Sequence, residues 1–272
     1  MADHMRSKQF DRAIRNVVRP HHSVLDVGTG SGLLALFAAR AGAQRVVAVE
    51  FDSYIAEVAR ENIRNNGYTH IIEVIEADAR DYCFRRGDAF DVVIMEMLTT
   101  GMVDEFQIQA VNNIHRQGVV NSATVFVPCR QETFAALAHT KFEIYGLEMR
   151  MVRHLWKDFP GNQKVAYLSR PQLVSSTDFS SPGEEMTTLT LEFEAVESGL
   201  VNSIYLTSRT CLTPQRSLKD TLTLNAPVAV PVEERTVVKG ERVMMEVSYL
   251  CGGGYKNFRT SPPRKNLAGG TQ

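Results

Sequence analysis

Ser23-Val24-Leu25-Asp26-Val27-Gly28-Thr29-Gly30-Ser31-Gly32 is the stretch that decides the fold, and residues 33–41 follow it directly. The apolar run that begins at Ser23 predicts a short strand, and the Leu- and Ala-rich run ending at Gly42 predicts a helix. Between them, the glycines let the backbone approach a ligand closely, because glycine has no Cβ to collide. The segment therefore predicts a strand, a tight ligand-binding turn and a helix.

The same alternation of strands and helices extends outward from this turn. Apolar periodicity predicts helices over residues 3–18 and 53–66, and strands over residues 45–50, 71–76 and 91–95. Strands that alternate with helices pair in parallel through right-handed crossovers. We therefore expect a doubly wound α/β sheet whose ligand site lies at the carboxyl ends of its strands.

The spacing of apolar and polar residues changes after about Pro128. Short alternating runs such as residues 187–194 and 243–249 predict antiparallel strands, and residues 175–185 predict a loop. The Gly- and Pro-rich end of the chain is typical of a loose tail. We expect an α/β domain over residues 1–128, which begins with a helix. A mainly antiparallel β domain should follow over residues 129–251, and a tail over residues 252–272.

Composition limits the classes of function. The chain has 30 basic and 31 acidic residues, so nothing suggests the uniformly basic surface that nucleic-acid binding usually requires, and only local basic patches stay open; no nucleic-acid partner is expected. It has neither a signal-peptide core near its start nor a run of about 18 apolar residues, so we expect a soluble, cytoplasmic protein without membrane contact. Its cysteines lack metal-ligand spacing and are expected to be reduced, mostly buried thiols, with no metal bound: Cys83, Cys129, Cys211 and Cys251.

The spacing of the glycine turn distinguishes between two nucleoside cofactors. Dinucleotide enzymes use G-x-G-x-x-G with an acidic residue about 20 positions on, and Glu50 lies 18 residues after Gly32. Here the third glycine follows a single intervening residue, and Asp26 stands two residues before the first glycine. A carboxylate at that point would repel a pyrophosphate, whereas it suits the ammonium end of S-adenosylmethionine (AdoMet). AdoMet is therefore the expected cofactor, and a nicotinamide dehydrogenase remains an alternative.

Acidic residues follow three successive strands at the expected ligand edge. Glu50 can accept hydrogen bonds from both ribose hydroxyls, and Asp78 can accept one from the adenine amino group. A single acidic residue at a strand end is usually an ordinary cap, but three beside a glycine turn favour cofactor binding. The predicted cofactor-binding residues of this edge are Asp26, Gly28, Thr29, Gly30, Gly32, Glu50, Phe51, Asp78 and Ala79.

Residues 24–50 resemble the cofactor segment of the protein arginine methyltransferases nearly residue for residue. Glu96 and Glu105, nine residues apart after the fourth strand, are similar to that family's pair of glutamates. Arg6 falls where the family's arginine grips the cofactor carboxylate, and residues 126–128 and 145–149 resemble the family's domain junction and the stretch next to it. The resemblance implies a Rossmann-like AdoMet-dependent methyltransferase domain, a β-barrel-like domain and a homodimer.

The sequence departs from that family in several places. The aromatic helix that covers the cofactor in the family would lie before Met1, so we do not expect it within these residues, and Met97-Leu98-Thr99 stands where the family has Trp-Met-Gly. If Pro214 and Lys219 anchor the alignment, Arg216-Ser217-Leu218 replaces a Thr-His-Trp loop that shapes the acceptor pocket. The segment available for a dimerisation arm, residues 149–187, is short and lacks a helical hairpin.

Glu96 and Glu105 are the candidate catalytic residues, and Glu96 also counts among the cofactor-binding residues together with Arg6. Paired with the two edges of a guanidinium, the carboxylates would hold positive charge on two nitrogens and leave electron density on the third. The same pair would seat an amine as a cation. Alternatively, one of these glutamates could be a helix cap and the other an ordinary surface charge.

The acceptor therefore stays open between an arginine-containing protein or peptide and a guanidino or amino small molecule. A natural-product methyltransferase and a non-catalytic AdoMet-binding protein on the same scaffold are the alternatives. His154-Leu155-Trp156 could supply an imidazole and an indole to the site. Packing is the favoured interpretation of that pair.

Overall fold

A computed structural model describes residues 3–156, 165–219 and 225–265, and the first half of the chain forms a parallel sheet. Its strand order is β3-β2-β1-β4-β5, and every neighbouring pair is parallel. The strands are β1 (Ser23–Val27), β2 (Arg45–Glu50), β3 (Ile72–Glu76), β4 (Val92–Met95) and β5 (Val125–Val127). The helices are α1 (His4–Val17), α2 (Leu33–Arg40), α3 (Ser53–Asn65) and α4 (Gln107–Arg116). The doubly wound α/β fold is confirmed.

Side-chain caps begin two of the helices, and buried apolar residues orient them against the sheet. The Asp3 side chain caps α1 by accepting a hydrogen bond from the Arg6 backbone N–H at 2.9 Å, and Asp52 caps α3 in the same way. Phe10 and Ile14 of α1 are fully buried, as the spacing of its apolar residues predicts. α1 is thereby fixed against the sheet, with Arg6 near its start.

The register of the parallel strands aligns their carboxyl ends. Val27 of β1 lies opposite Val49 of β2 and Met95 of β4. Gly28, Glu50 and Glu96, which follow those positions, therefore meet at one edge of the sheet.

The second half of the chain is built from antiparallel strands. One sheet has the order β10-β6-β13-β15-β9, with β11 paired to β6 and β14 to β13, and another pairs β12, β17 and β18 with β16. The mainly antiparallel, barrel-like half that the sequence predicts is therefore confirmed as antiparallel sheets, and an isolated bridge between Ser169 and Ala195 adds to their pairing. The strands are β6 (Arg130–His139), β7 (Glu143–Ile144), β8 (Leu147–Glu148), β9 (Arg153–His154), β10 (Ala166–Tyr167), β11 (Gln172–Asp178), β12 (Met186–Glu194), β13 (Gly199–Thr213), β14 (Arg216–Leu218), β15 (Val228–Val237), β16 (Arg242–Leu250), β17 (Arg259–Thr260) and β18 (Arg264–Lys265).

Two sequence expectations in this half were wrong. Residues 175–178, expected in a loop, belong to β11, because pairing with β6 supplies the backbone partners that their polar side chains do not reveal. The expected loose tail instead packs on the protein as far as residue 265: Phe258 is buried, and β17 and β18 pair with β16. Residues 266–272 lie outside the described residues.

The segment considered for a dimerisation arm forms short strands. Its described parts, residues 149–156 and 165–187, contain β9, β10, β11 and the start of β12, and no helix. Residues 157–164 lie outside the described part of the chain. β7 and β8 form a hairpin just before this segment, with Tyr145 at its tip 99% exposed.

One hydrophobic cluster runs through both halves of the molecule. It contains Leu25 and Val93 of the parallel sheet together with Leu137, Ile204 and Val247 of the antiparallel sheets, all essentially inaccessible to solvent. The two halves therefore share a core.

None of the described helices is long and apolar enough to cross a membrane. All four cysteines are free thiols, as expected, and Cys211 and Cys251 are buried. Cys83 is exposed and Cys129 partly so, which departs from the expectation of mostly buried thiols.

Candidate active site

A cavity of about 390 Å³ opens at the carboxyl edge of the parallel sheet. The structure brings many of the predicted site residues to its wall. Arg6, Asp26, Thr29, Gly30 and Gly32 stand outside this lining. The lining residues are Gly28, Val49, Glu50, Phe51, Ala77, Asp78, Ala79, Arg80, Glu96, Met97, Glu105, Phe106 and Ala110.

The glycine turn is bonded to the acidic end of β2. The Gly30 backbone N–H donates to Glu50 Oε2 at 2.8 Å, and the Asp52 N–H donates to Glu50 Oε1 at 3.0 Å. Gly28 has a φ of +68°, and a Cβ added there would lie 3.1 Å from Met97 Cγ. A side chain at position 28 would therefore be strained and would crowd the cavity wall.

Asp26 is buried behind the glycine turn. Thr29 Oγ1 donates to Asp26 Oδ2 at 2.6 Å, whereas Asp26 Oδ1 has no hydrogen-bond partner among the described residues. Burial raises the pKa of Asp26 to about 7, and the hydrogen bond from Thr29 opposes that shift. A buried carboxylate oxygen without a donor fits the cationic end of a ligand.

Glu96 is joined to the first helix by an ion pair. Arg6 Nη1 lies 2.8 Å from Glu96 Oε1, and the side chains are 16% and 24% exposed. Burial nevertheless raises the pKa of Glu96 to about 7, because desolvation of the carboxylate exceeds the attraction of Arg6. Arg6 therefore lies beside Glu96 at this edge of the sheet.

Glu105 has an acidic neighbour that the sequence interpretation missed. Asp104 and Glu105 are both partly buried, and neither forms an ion pair within the described part of the chain. Burial raises the pKa of each carboxyl, and the charges of Asp104 and Glu50 raise that of Glu105 further. The adjacency of two acids in the sequence was the available signal, and their partial burial is what the structure adds.

Asp78 and Phe106 are linked through one cation. Arg80 pairs with the Asp78 carboxylate, and its guanidinium carbon lies 4.1 Å from the centre of the Phe106 ring. Arg80 was not among the predicted site residues. It holds Asp78 at the cavity wall and lowers the pKa of that carboxyl.

His154 lies outside this lining. Its ring stacks on Trp156 and meets the edge of Tyr255 with a centroid separation of 5.9 Å, and burial lowers its pKa. The Asp104 carboxylate opposes that shift. These ring contacts agree with the packing interpretation of the His154–Trp156 pair.

Residues 216–218 face a different region. They form β14, and Arg216 Nη1 donates to Gln9 Oε1 of α1 at 2.6 Å. Arg216 lines a second cavity of about 640 Å³, together with Cys129 and Asp178. An acceptor role taken from the Thr-His-Trp alignment is therefore not supported by the position of this segment.

The parallel sheet, its glycine turn and the acidic strand ends together define an AdoMet-dependent methyltransferase of the Rossmann-like class. The chain belongs to the ribosomal protein L11 methyltransferase (PrmA) family, whose model matches residues 4–159. AdoMet is accordingly its cofactor, and the dehydrogenase alternative is set aside.

Relatives divide into those similar over the whole chain and those similar over part of it. An uncharacterized protein of Methanocaldococcus jannaschii is 30% identical over 261 residues, covering 96% of this chain and 94% of the relative. One of Methanothermobacter thermautotrophicus is also 30% identical, over 265 residues. A Staphylococcus aureus ribosomal protein L11 methyltransferase is 35% identical over 116 residues, which are 43% of this chain and 36% of that protein.

A solved structure extends the likeness to the antiparallel half. The Trypanosoma brucei PRMT1 enzyme–prozyme heterotetrameric complex with AdoHcy matches with a TM-score of 0.73 at 16% identity, covering 97% of this chain and 95% of that one. At this identity the likeness is one of fold. The methyltransferase class is confirmed, and membership of the arginine methyltransferase family is not.

Proposed function

We propose that this chain transfers the methyl group of AdoMet to an arginine-type guanidino nitrogen held between Glu96 and Glu105. The observation that carries the proposal is uncompensated negative charge beside the cofactor cavity. Asp104 and Glu105 are partly buried, and neither has a cationic partner within the described residues. Partly desolvated carboxylates are stabilised by a cation that pairs with them, which favours a cationic acceptor.

The chemistry requires positioning more than covalent help. AdoMet supplies a methyl group on a positively charged sulfur, and the chain must present a nucleophile in line with it. Glu96 and Glu105 would each accept hydrogen bonds from one edge of the guanidinium. They would thereby hold its positive charge on two nitrogens and raise the electron density of the third. Glu96, with a pKa near 7, can take up the proton afterwards.

The extent of the two likenesses supports this choice of acceptor. The match to a ribosomal protein L11 methyltransferase of S. aureus covers 43% of this chain, too small a share to carry an acceptor over from that protein. The whole-chain likeness to PRMT1, although one of fold, includes the antiparallel half. We therefore favour a guanidino group over the amino groups that the same carboxylates would also attract.

The deciding experiment is incubation of the protein with methyl-labelled AdoMet and cell-lysate fractions divided by molecular size. Label recovered as methylarginine after acid hydrolysis of the protein fraction supports the proposal in its protein form. Label in a guanidino metabolite supports the small-molecule alternative. Label confined to amino groups contradicts the guanidino acceptor, and no label in any fraction favours the non-catalytic AdoMet-binding alternative.

Replacement of the two glutamates tests their role directly. Glu96→Gln and Glu105→Gln should each lower the rate of methyl transfer by about 10²- to 10³-fold, since each removes one charge aimed at the acceptor. Calorimetry should show that Glu105→Gln still binds AdoMet. Glu148→Gln, at an exposed position of the β7–β8 hairpin, is the matched control. Near-normal rates in both site variants would remove the carboxylate clamp.

The homodimer implied by the family resemblance is part of the proposal. The tip of the β7–β8 hairpin supports it, because Tyr145 and Leu147 are 99% and 64% exposed. Light scattering after gel filtration should give twice the mass of the chain, and Tyr145→Ser should shift the protein towards a monomer. A monomer at every accessible concentration contradicts the dimer and leaves the methyl-transfer proposal standing.

A further inference from the structure

The segment between the two glutamates leaves the parallel sheet and is held by the antiparallel half. We call residues 99–104 the acceptor loop. Gln131 Nε2 on β6 donates to the Thr99 carbonyl at 2.8 Å. Ser208 Oγ on β13 accepts a hydrogen bond from the Gly101 backbone N–H at 3.0 Å. Strands far away in sequence thus bond to the start and the middle of the loop that directly precedes Glu105.

Two further contacts complete the attachment. Thr100 Oγ1 donates to the Ala226 carbonyl at 2.5 Å. On the other side of the loop, the Gly252 N–H donates to the Met102 carbonyl at 3.0 Å. The side chains that make these bonds to the loop are excluded from solvent: Thr100 is 1%, Gln131 0% and Ser208 4% exposed.

The acceptor loop contains one residue whose backbone conformation is unfavourable by itself. Met102 has a φ of +55°, which residues other than glycine rarely adopt, whereas Gly101 tolerates its φ of +73°. Met102 is 1% exposed, so its side chain is fixed in the core while its backbone stays in the left-handed region. Loss of a buried partner for the Gly101 N–H would favour a different loop conformation.

We propose that Ser208 and Gln131 are positioning residues that set the location of Glu105 through the acceptor loop. Neither residue belongs to the cavity lining, and each acts through the loop backbone. The inference rests on the proposed function, since it concerns the carboxylate that would hold the acceptor. A displacement of about 1 Å at such a group lowers the rate by about 10²-fold.

Ser203 offers a matched control on the same strand. It is a fully buried serine of β13, and its hydroxyl donates to the Ala138 carbonyl at 3.1 Å and contacts Thr140 Oγ1 at 2.8 Å. These partners lie in and beside β6, away from the acceptor loop. Ser203→Ala and Ser208→Ala therefore remove the same buried group with different consequences for the loop.

The experiment compares hydrogen exchange and methyl transfer in the two variants of the full chain. Ser208→Ala should speed amide exchange in residues 99–106 at least tenfold and lower kcat about 10- to 100-fold. Its Kd for AdoMet should stay within about twofold of the wild-type value. Ser203→Ala should leave exchange in the loop unchanged, and Ser208→Thr, which retains a hydroxyl, should restore much of kcat.

Equal loop exchange in Ser208→Ala and Ser203→Ala would overturn the proposal, as would an equal kcat. If Ser208→Ala fails to fold, Gln131→Leu provides the same comparison through the bond to Thr99. The exchange measurement needs no acceptor. If the wild-type protein transfers no methyl group to any lysate fraction, the proposed function fails, while the exchange result still decides whether Ser208 fixes the loop.

Discussion

We propose that burial prepares two single residues, Asp26 and Glu96, for a cationic cofactor. Each carboxyl has a pKa raised to about 7, chiefly because it is removed from water. Below that pH the protonated forms dominate, so part of the negative charge is absent. Because a cation stabilises the ionised form, binding of AdoMet is expected to draw these protons off.

The affinity for AdoMet should therefore depend on pH. We expect Kd to fall by up to about tenfold as the pH rises from 6 to 8, because Asp26 ionises in this window. Asp26→Asn should bind AdoMet more weakly at pH 8, with a flatter pH dependence. Calorimetry across this range provides the measurement, with Glu57→Gln on the exposed face of α3 as control. An unchanged pH dependence in Asp26→Asn would exclude this role.

Some groupings of residues could be predicted from the sequence, and others could not. The grouping of Glu50, Asp78 and Glu96 at one edge could be expected, because each follows a strand of an alternating α/β pattern. The hydrogen bond from Gly101 to Ser208 could not, because it joins positions 107 residues apart. Such a contact depends on the pairing of β13 with β6, and single-sequence periodicity carries no information about pairing partners.

At the scale of elements, the turn after β16 is adapted to the acceptor loop. Gly252 has a φ of +72°, and a Cβ added there would lie 2.5 Å from Phe106 Cδ1. The Gly254 N–H donates to the Val103 carbonyl at 2.8 Å. Gly252 therefore allows the Phe106 ring to lie close to this turn, while the backbone of the turn bonds to the loop.

Alanine at position 252 should disturb that approach. Gly252→Ala adds both left-handed strain and a clash with Phe106, whereas Gly240→Ala, at a φ of +84° with open space around it, adds strain alone. We expect Gly240→Ala to lower the free energy of unfolding by about 1 kcal/mol and Gly252→Ala by about 2–4 kcal/mol. Urea titration provides the measurement, and equal losses would show that the contact is relieved without cost.

The predicted elements were accurate where local pattern determines structure. Strand β2 covers the residues expected from its apolar run, and α3 starts at Ser53 after its Asp52 cap. Strand β11 and the tail were not foreseen, since polar or Gly-rich segments join a sheet only through a neighbour that supplies hydrogen bonds. Edge and terminal elements were therefore the weakest part of the sequence interpretation.

At the scale of the whole molecule, the shared hydrophobic core joins the α/β and antiparallel halves. Val27 and Met95 belong to the same cluster as Leu206 and Tyr249. Separating the halves would expose apolar surface on both. The sequence suggested a division near residue 128, but it contained no measure of how much core crosses that boundary.

We therefore expect one cooperative unfolding transition. Trp156, the only tryptophan in the sequence, reports on the antiparallel half, while far-UV circular dichroism reports on all helices and strands. The two signals should give coincident urea midpoints, and saturating AdoMet should raise both equally. Separate midpoints, with AdoMet acting on one alone, would indicate halves that fold independently.

The attachment of the acceptor loop to β6, β13 and the turn at Gly252 also sets an order during synthesis. A ribosome makes the glycine turn and both glutamates well before the strands and the turn that bond to residues 99–103. A growing chain can thus present the residues that we propose to bind AdoMet while the loop still lacks these hydrogen bonds. The geometry that we propose for methyl transfer is therefore completed only after the turn at residues 252–254 has been made, since that turn supplies the last of these bonds.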